Sequence, residues 1–190
     1  MIMLRHAQSE FNLHFTVTRR DPGIIDPKLT PLGHRQAREA ATRFGSMQPA
    51  RAPIRRIIAS PYTRALQTAA PIARALGGIP VIVKPIVRER YAFACDVGSP
   101  RTELARAWPE LDFSHIDEIW WPPVEEPAEG IAARAALFRT EMAALADWSD
   151  TLVISHWGFI LAMTGEKITN CEQRSCDPTA PAPEGFSWKH

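Results

Sequence analysis

The chain has 190 residues, of which 45% are hydrophobic and 23% are charged, and its formal net charge is +1. This near-neutral balance argues against a general binder of nucleic acid or anionic membranes, because such proteins carry a large basic excess. Three cysteines are too few for a disulfide framework, and no apolar run is of membrane-spanning or secretory type. The composition therefore predicts one globular domain over residues 1–190 in the reducing environment of the cytoplasm.

Four short aliphatic runs predict β-strands. They lack the alternation of polar residues that marks a half-exposed strand, so each is typical of a strand buried on both faces of a parallel sheet. The runs are residues 1–4, 56–60, 80–83 and 151–155.

Helical patterns lie between these runs, and three of them begin with a polar residue followed by proline, which is a helix-start signal. These pairs are Thr30-Pro31, Ser60-Pro61 and Ser99-Pro100. The first helix is expected to reach about Met47, the second ends at Gly77-Gly78, and a long helix is predicted over residues 128–148. Alternation of strand and helix predicts an α/β fold: a three-layer α/β/α sandwich with a central, mostly parallel sheet.

The remaining segments are rich in proline and polar residues and lack periodicity. Residues 15–28 and 109–127 are predicted to be long loops, and residues 166–190 a loosely packed tail.

Histidine and arginine residues follow three of the predicted strands. Arg5 and His6 come directly after the first strand, Arg64 lies in the first turn of the helix after the second, and His156 follows the last. Each residue taken alone is more typical of a structural or solvated side chain. Because the carboxyl ends of parallel strands meet at one sheet edge, we expect the four side chains to converge there. Two imidazoles and two guanidiniums favour an anion such as phosphate and repel a cation, so no metal site is predicted.

Four motifs, in this order along the chain, resemble the histidine phosphatase superfamily, which includes cofactor-dependent phosphoglycerate mutases and many phosphatases. The family pattern Arg-His-Gly-Glu/Gln-Ser/Thr with a following Asn corresponds to residues 5–9 and Asn12, with Ala7 in place of glycine. The pattern Asp-x-x-Leu-Thr-x-x-Gly-x-x-Gln-Ala corresponds to residues 26–37, and Ser-x-x-x-Arg-Ala-x-Gln-Thr-Ala to residues 60–69. The late Ser-His-Gly appears with an additional Trp at residues 155–158.

The resemblance implies a phosphoglycerate mutase-like fold and a role for each matching residue. His6 would be the nucleophile that takes up the phosphoryl group, and His156 would assist it. Arg5, Asn12, Arg64 and His156 would hold the phosphate oxygens. The family's proton donor, a glutamate near the middle of the chain, corresponds to Glu89, and Asp96 is the alternative acid.

The sequence is compatible with three functions. A metal-independent phosphatase without cofactor is favoured, because 190 residues leave little room for the inserted cover that phosphoglycerate mutases have over the site. A mutase-type phosphotransferase is the second possibility, and a catalytically silent phosphate-binding protein is the third. The expected partner is a small phosphorylated substrate, and the chain would be a monomer or a homodimer.

A tryptophan pair and three arginines outside the motifs have less specific interpretations. The Trp120-Trp121 pair either packs a long loop against the domain or forms an aromatic wall of the substrate pocket. Arg101, Arg106 and Arg134 are interpreted as solvated residues on helix faces.

Overall fold

The computed structural model describes residues 1–46 and 53–183 and contains a five-stranded sheet of order β3-β2-β4-β1-β5. The strands are β1 (Ile2–Arg5), β2 (Arg56–Ala59), β3 (Val81–Val83), β4 (Thr151–Ser155) and β5 (Gln173–Ser175). All neighbouring strands are parallel except β5, which pairs antiparallel with β1. The four predicted strands and the mostly parallel sheet are confirmed.

Helices cover both faces of this sheet. They are α1 (Glu10–Thr18), α2 (Pro31–Ser46), α3 (Thr63–Ala75), α4 (Arg101–Ala107), α5 (Ala128–Ala143) and α6 (Trp157–Thr164). Successive side chains of a strand point to opposite faces, and β1 shows this clearly. Ile2 and Leu4 pack with α2 and α3, whereas Met3 packs with α5 and α6. The predicted three-layer α/β/α sandwich is confirmed.

Three helix boundaries differ from the prediction. Helix α3 begins at Thr63 rather than Ser60, because the Asp26 carboxylate accepts hydrogen bonds from the Thr63 amide at 2.9 Å and from its hydroxyl at 2.7 Å. Helix α5 ends at Ala143 and not at Trp148, where a 3-10 turn leads into β4. Residues 15–18 belong to α1 rather than to a loop. Met47 lies outside the described residues.

The prediction of a loosely packed tail from residue 166 is wrong for the segment up to Cys176. Ile168 and Cys176 are buried, and β5 lies between them as an edge strand. The terminal ammonium of Met1 donates to the Cys176 carbonyl, and the Cys176 amide donates to the Met1 carbonyl, both at 2.9 Å. The segment therefore completes the sheet. Residues 184–190 lie outside the described part of the chain.

The motif at residues 26–37 holds the loop that follows β1. The Thr30 amide donates to the Gln8 carbonyl at 3.0 Å, and the Gln36 side chain accepts from the Gln8 amide at 2.9 Å. Gly33 lies so close that a Cβ atom there would be 2.0 Å from the Gln8 carbonyl oxygen. Glycine is required because backbone, which cannot move aside cheaply, fills that space.

The tryptophan pair packs the long loop at residues 109–127 onto the domain. Trp120 is buried in the core, its ring centroid lies 4.7 Å from that of Tyr62, and its indole nitrogen donates to the Ser99 carbonyl. Of the two interpretations of this pair, packing is the one that the structure supports for Trp120.

Candidate active site

The two central strands place the two histidines side by side. Arg5 and Ser155 are register partners at the ends of β1 and β4, so the residues that follow them emerge together. The His6 amide donates to the Ser155 carbonyl at 2.9 Å, and the ring centroids of His6 and His156 are 4.9 Å apart. The predicted convergence of the imidazoles follows directly from strand pairing.

The hydrogen bond of His6 selects one tautomer of its ring. Nδ1 lies 2.7 Å from the Ala7 carbonyl oxygen, which can only accept, so Nδ1 carries the proton and Nε2 has a lone pair. Burial, followed by the charges of Arg64 and Arg5, lowers the pKa of His6 well below its usual value. His6 is therefore neutral and nucleophilic at pH 7. Ala7 has no positive φ angle, so replacing the family's glycine introduces no backbone strain here.

His156 is fully buried, and neither of its ring nitrogens has a hydrogen-bond partner among the described residues. Tyr62 contacts it edge-on, with ring centroids 5.1 Å apart. Burial, followed by Arg64 and then His6, lowers the pKa of His156 well below its usual value. An unpaired buried polar group is costly, so an imidazole in this state is typical of a group that binds a ligand.

Two guanidiniums flank the histidines, that of Arg64, which is buried, and that of Arg5, which is half-buried. Arg5 donates from Nη1 to the Ile168 carbonyl at 2.9 Å, while its buried Nε has no partner among the described residues. Burial lowers the pKa of Arg5 to about 10, which still leaves it charged at neutral pH. Arg64 donates to the Cys95 carbonyl at 2.7 Å, forms an ion pair with Asp96 at 3.3 Å, and lies over the Tyr62 ring.

Asn12 lies in the first turn of α1 with its amide oriented by neighbours. Its Oδ1 accepts from the Ser9 amide, the Ser9 hydroxyl and Asn170 Nδ2, each at 3.1 Å. Asn170 also donates to the His6 carbonyl at 2.9 Å. With Oδ1 used in this way, the Nδ2 donor of Asn12 is the end of the amide that is available to a ligand.

Glu89 lies against the beginning of α6. Its carboxylate accepts from the Gly158 amide at 2.9 and 3.1 Å and from the Arg90 amide at 2.8 Å. A Cβ atom on residue 158 would lie 2.4 Å from Glu89 Oε1. Gly158 thus makes room for the carboxylate, and the glycine of the late motif is explained by Glu89.

Asp96, the alternative acid, is buried, and both of its carboxylate oxygens have partners within the protein. Its Oδ1 faces Arg64, and its Oδ2 accepts from the amides of Ala92 and Phe93 at 3.1 Å each. Burial raises the pKa of Asp96 to about 6, although Arg64 acts in the opposite direction. These contacts join Arg64 to the loop that carries Phe93.

A cavity of about 420 Å³ brings most of the predicted site residues together. Its lining includes six of them: Arg5, His6, Asn12, Arg64, Glu89 and Asp96. His156 contacts His6 instead and is not itself part of the lining. Several lining residues carry no motif that identifies them from sequence, and they include Phe11, Phe15, Phe93, Lys167, Thr169 and Asn170. The spacing of Phe11 and Phe15 is a signal in the sequence that could have identified this pair, since residues four positions apart lie on the same face of a helix.

The interpretation of Arg134 as a solvated helix residue is wrong. Its guanidinium donates to the carbonyls of Ile86 and Arg88, at 2.8 Å each, and forms a buried ion pair with Glu126. It therefore anchors the backbone that leads into Glu89. No local pattern in the sequence reveals this role, because the partners are backbone carbonyls 46 and 48 positions away.

Within residues 1–46 and 53–183, the structure has no cluster of three or more His, Cys, Asp or Glu side chains that could hold a metal ion. The helices in the same part of the chain are all too short or too polar to cross a membrane.

Comparisons with known proteins agree with this geometry. A curated relative, glucosyl-3-phosphoglycerate phosphatase of Mycobacterium tuberculosis (strain ATCC 25618 / H37Rv), is 29% identical over 180 residues, which cover 86% of this chain and 73% of the relative. A solved structure of mycobacterial glucosyl-3-phosphoglycerate phosphatase in complex with VO3 has a TM-score of 0.61 at 25% identity, covering 91% of this chain and 88% of that one.

A more distant structure shares the fold. Ecdysone phosphate phosphatase from Bombyx mori, in complex with tungstate, has a TM-score of 0.61 at 17% identity and covers 100% of this chain and 96% of that one. The family model of the histidine phosphatase superfamily (branch 1) matches residues 1–176. The predicted family and the predicted enzyme class, a phosphatase, are thus confirmed: the chain belongs to the histidine phosphatase superfamily, branch 1.

Proposed function

We propose that this chain hydrolyses phosphate monoesters through a phosphohistidine intermediate on His6. The observation that carries the proposal is the set of unpaired nitrogens around His6. Arg5 Nε and both ring nitrogens of His156 are buried donors or acceptors without a partner in the described chain. A phosphoryl group next to His6 supplies oxygen atoms that satisfy them.

In the first step, His6 Nε2 attacks phosphorus and the bond from phosphorus to the ester oxygen breaks. The neutral ring with Nδ1–H bound to the Ala7 carbonyl has the required lone pair on Nε2. The same hydrogen bond stabilises the ring as its positive charge develops. Covalent transfer divides one difficult displacement into two easier ones.

Arg5, Arg64 and His156 stabilise the phosphoryl oxygens in the transition state. Arg5 and Arg64 line the cavity and are held there by hydrogen bonds to backbone carbonyls, so these two guanidiniums need little reorganisation when charge redistributes. Binding of a dianion raises the pKa of His156, so that the imidazole takes up a proton and donates to an oxygen. Asn12 Nδ2 adds a neutral donor.

Glu89 is the proton donor to the leaving alkoxide. It lines the cavity, and its carboxylate lies at the start of α6, the helix that directly follows His156. Asp96 acts as a positioning residue, because its oxygens are used by Arg64 and by two backbone amides.

In the second step, a water molecule attacks the phosphohistidine. Glu89, now ionised, accepts the proton of that water, the bond between Nε2 and phosphorus breaks, and inorganic phosphate leaves. His6 and Glu89 return to their starting states, and His156 gives back to solvent, as phosphate leaves, the proton that it took up from solvent, so the cycle balances.

The proposal also covers the substrate class, domain organisation, location, oligomeric state and metal requirement of the enzyme. The relatives act on small phosphorylated substrates, and we propose the same substrate class here. We further propose a single domain, a cytoplasmic location, a monomer or homodimer, and catalysis without metal.

Hydrolysis of p-nitrophenyl phosphate in the presence of EDTA tests the proposal. We expect wild-type turnover in EDTA without a bisphosphorylated primer, and a loss of roughly 10⁴-fold or more in His6→Ala. The matched control is His34→Ala, an exposed histidine of α2. Turnover by His6→Ala at the wild-type rate contradicts the nucleophile assignment, and turnover that requires a primer indicates a mutase.

A further inference from the structure

Three phenylalanine rings form a cluster along one side of the catalytic cavity. Phe11 and Phe15 lie one turn apart on α1 with ring centroids 5.1 Å apart, and Phe93 lies 5.5 Å from the first and 5.2 Å from the second. All three line the cavity. We call these residues the aromatic wall.

The aromatic wall is separate from the cores that stabilise the sheet. Among the described residues, none of its three rings belongs to the hydrophobic clusters on either face of the sheet. Phe11 is buried, whereas Phe15 and Phe93 are only half-buried. Apolar rings that line a cavity are typical of a binding surface for an apolar group.

The wall is joined to the groups that hold phosphate. Phe11 directly precedes Asn12, and the Phe93 amide donates to the Asp96 carboxylate, which in turn pairs with Arg64. Helix α1 and His6 line the same cavity, so a substrate with its phosphate at His6 has one face of α1 beside its ester group. That face continues past Phe15 to Thr16 and Arg19, which also line the cavity.

We propose that this site prefers phosphate esters whose alcohol part is aromatic or another flat apolar group, and that Phe15 and Phe93 determine this preference. The proposal rests on the proposed phosphatase function and names its substrate class. A flat ring stacks on or meets the wall edge-on, an arrangement that aromatic pairs favour. A polyhydroxylated alcohol gains less from these rings, because any hydroxyl group that faces them is left without a hydrogen-bond partner.

The test compares two esters of primary alcohols, 2-phenylethyl phosphate and glycerol 1-phosphate, so that the chemistry of the leaving group is similar. We expect kcat/KM for the phenylethyl ester to be larger by roughly tenfold or more. Phe15→Ala and Phe93→Ala should each reduce this ratio several-fold. The matched control Val17→Ala is on the same helix, at a side chain that is 81% exposed, and should leave the ratio unchanged.

The outcomes separate the two proposals. A ratio near one in the wild type, or a ratio unaffected by both phenylalanine variants, overturns the aromatic preference and leaves the phosphatase proposal intact. If the wild-type protein hydrolyses none of the three compounds (2-phenylethyl phosphate, glycerol 1-phosphate and p-nitrophenyl phosphate), the phosphatase proposal itself is overturned. Thermal unfolding of each variant identifies a folding defect, and Phe93→Leu provides a second, milder change at the wall.

Discussion

The two ends of the catalytic cavity are held in place by different means. At the phosphate end, His6 and His156 follow paired strands of a parallel sheet, and strand register fixes their separation. At the leaving-group end, Glu89 lies on an irregular segment held by the Arg134 side chain of α5, and Phe93 lies on a loop held by the side chain of Asp96 in the same loop. The first end depends on backbone topology and the second on individual side chains, so substitutions should affect them differently.

The phosphate end should show the largest effect of a conservative change. Arg64→Lys retains the charge but loses the planar guanidinium that bonds the Cys95 carbonyl and Asp96 while lining the cavity. We expect kcat/KM for p-nitrophenyl phosphate to fall about 100-fold. Arg74→Lys, at an exposed position of the same helix, is the control and should change it less than about twofold. Equal activities of Arg64→Lys and Arg74→Lys would contradict the assignment of Arg64 to the phosphate site.

At the leaving-group end, Glu89→Gln should discriminate between esters. Loss of the proton donor lowers kcat by roughly 100-fold for glycerol 1-phosphate but by only about tenfold for p-nitrophenyl phosphate, whose leaving group needs little protonation. Asp96→Asn should reduce both to a similar extent, because Asp96 acts through Arg64. If instead only Asp96→Asn loses more kcat with glycerol 1-phosphate than with p-nitrophenyl phosphate, Asp96 is the acid.

Two glycines give a direct comparison of the two ends. A side chain at Gly33 collides with backbone, so Gly33→Ala should destabilise the fold by about 2 kcal/mol or more. A side chain at Gly158 collides only with the end of the Glu89 side chain, which can move. Gly158→Ala should therefore keep its unfolding temperature and lose about tenfold in kcat for alkyl esters.

Thermal unfolding and kinetics of both variants measure this difference. A Gly158→Ala protein with full activity towards alkyl esters would show that the position of Glu89 is unimportant.

The smallest expected effect is the pH dependence of stability. Both buried imidazoles have a lowered pKa, so the unfolded chain binds more protons below about pH 6.5, and stability falls as pH falls. Each contributes at most about 1.4 kcal/mol per pH unit. Asp96 has a pKa raised to about 6, so below that value its proton uptake in the folded state opposes the loss. Below about pH 6 the two imidazoles and Asp96 together leave an excess of about one proton on the unfolded chain, so the decrease continues there at about half the slope that the imidazoles alone would give.

Urea unfolding between pH 8 and pH 5 measures this profile. In His156→Asn the stability should be nearly independent of pH below about pH 6, since proton uptake by Asp96 in the folded state offsets the one imidazole that remains. A wild-type stability that stays constant from pH 7.5 to pH 6 contradicts the burial of neutral histidines.

The phosphate end was largely predictable from sequence because its signals are local. Short aliphatic runs mark buried strands, and Arg5, His6 and His156 come directly after two of them. The rule that parallel strand ends converge then brings these residues together without knowledge of any side-chain contact.

The leaving-group end was less predictable because its organisation depends on contacts between distant residues. Arg134 holds backbone carbonyls before Glu89, and Arg64 pairs with Asp96, 32 positions away, but neither pairing follows a periodic pattern. Strand β5 was missed for a related reason, since its polar sequence suits an edge strand and its partner is at the other end of the chain. Helix α1 begins with a capping box in which Asn12 takes the place of the usual glutamate or glutamine, and this obscured its start.

The central claim is that the phosphoryl group passes through His6, and rapid acid-free quenching of the first turnover with p-nitrophenyl phosphate tests it most directly. Mass spectrometry of the quenched protein should locate one phosphoryl group on the peptide containing His6, stable in alkali and lost in acid, and absent from His6→Ala. Release of phosphate in that turnover with no phosphorylated His6 peptide, or with the group on another residue, would contradict the account.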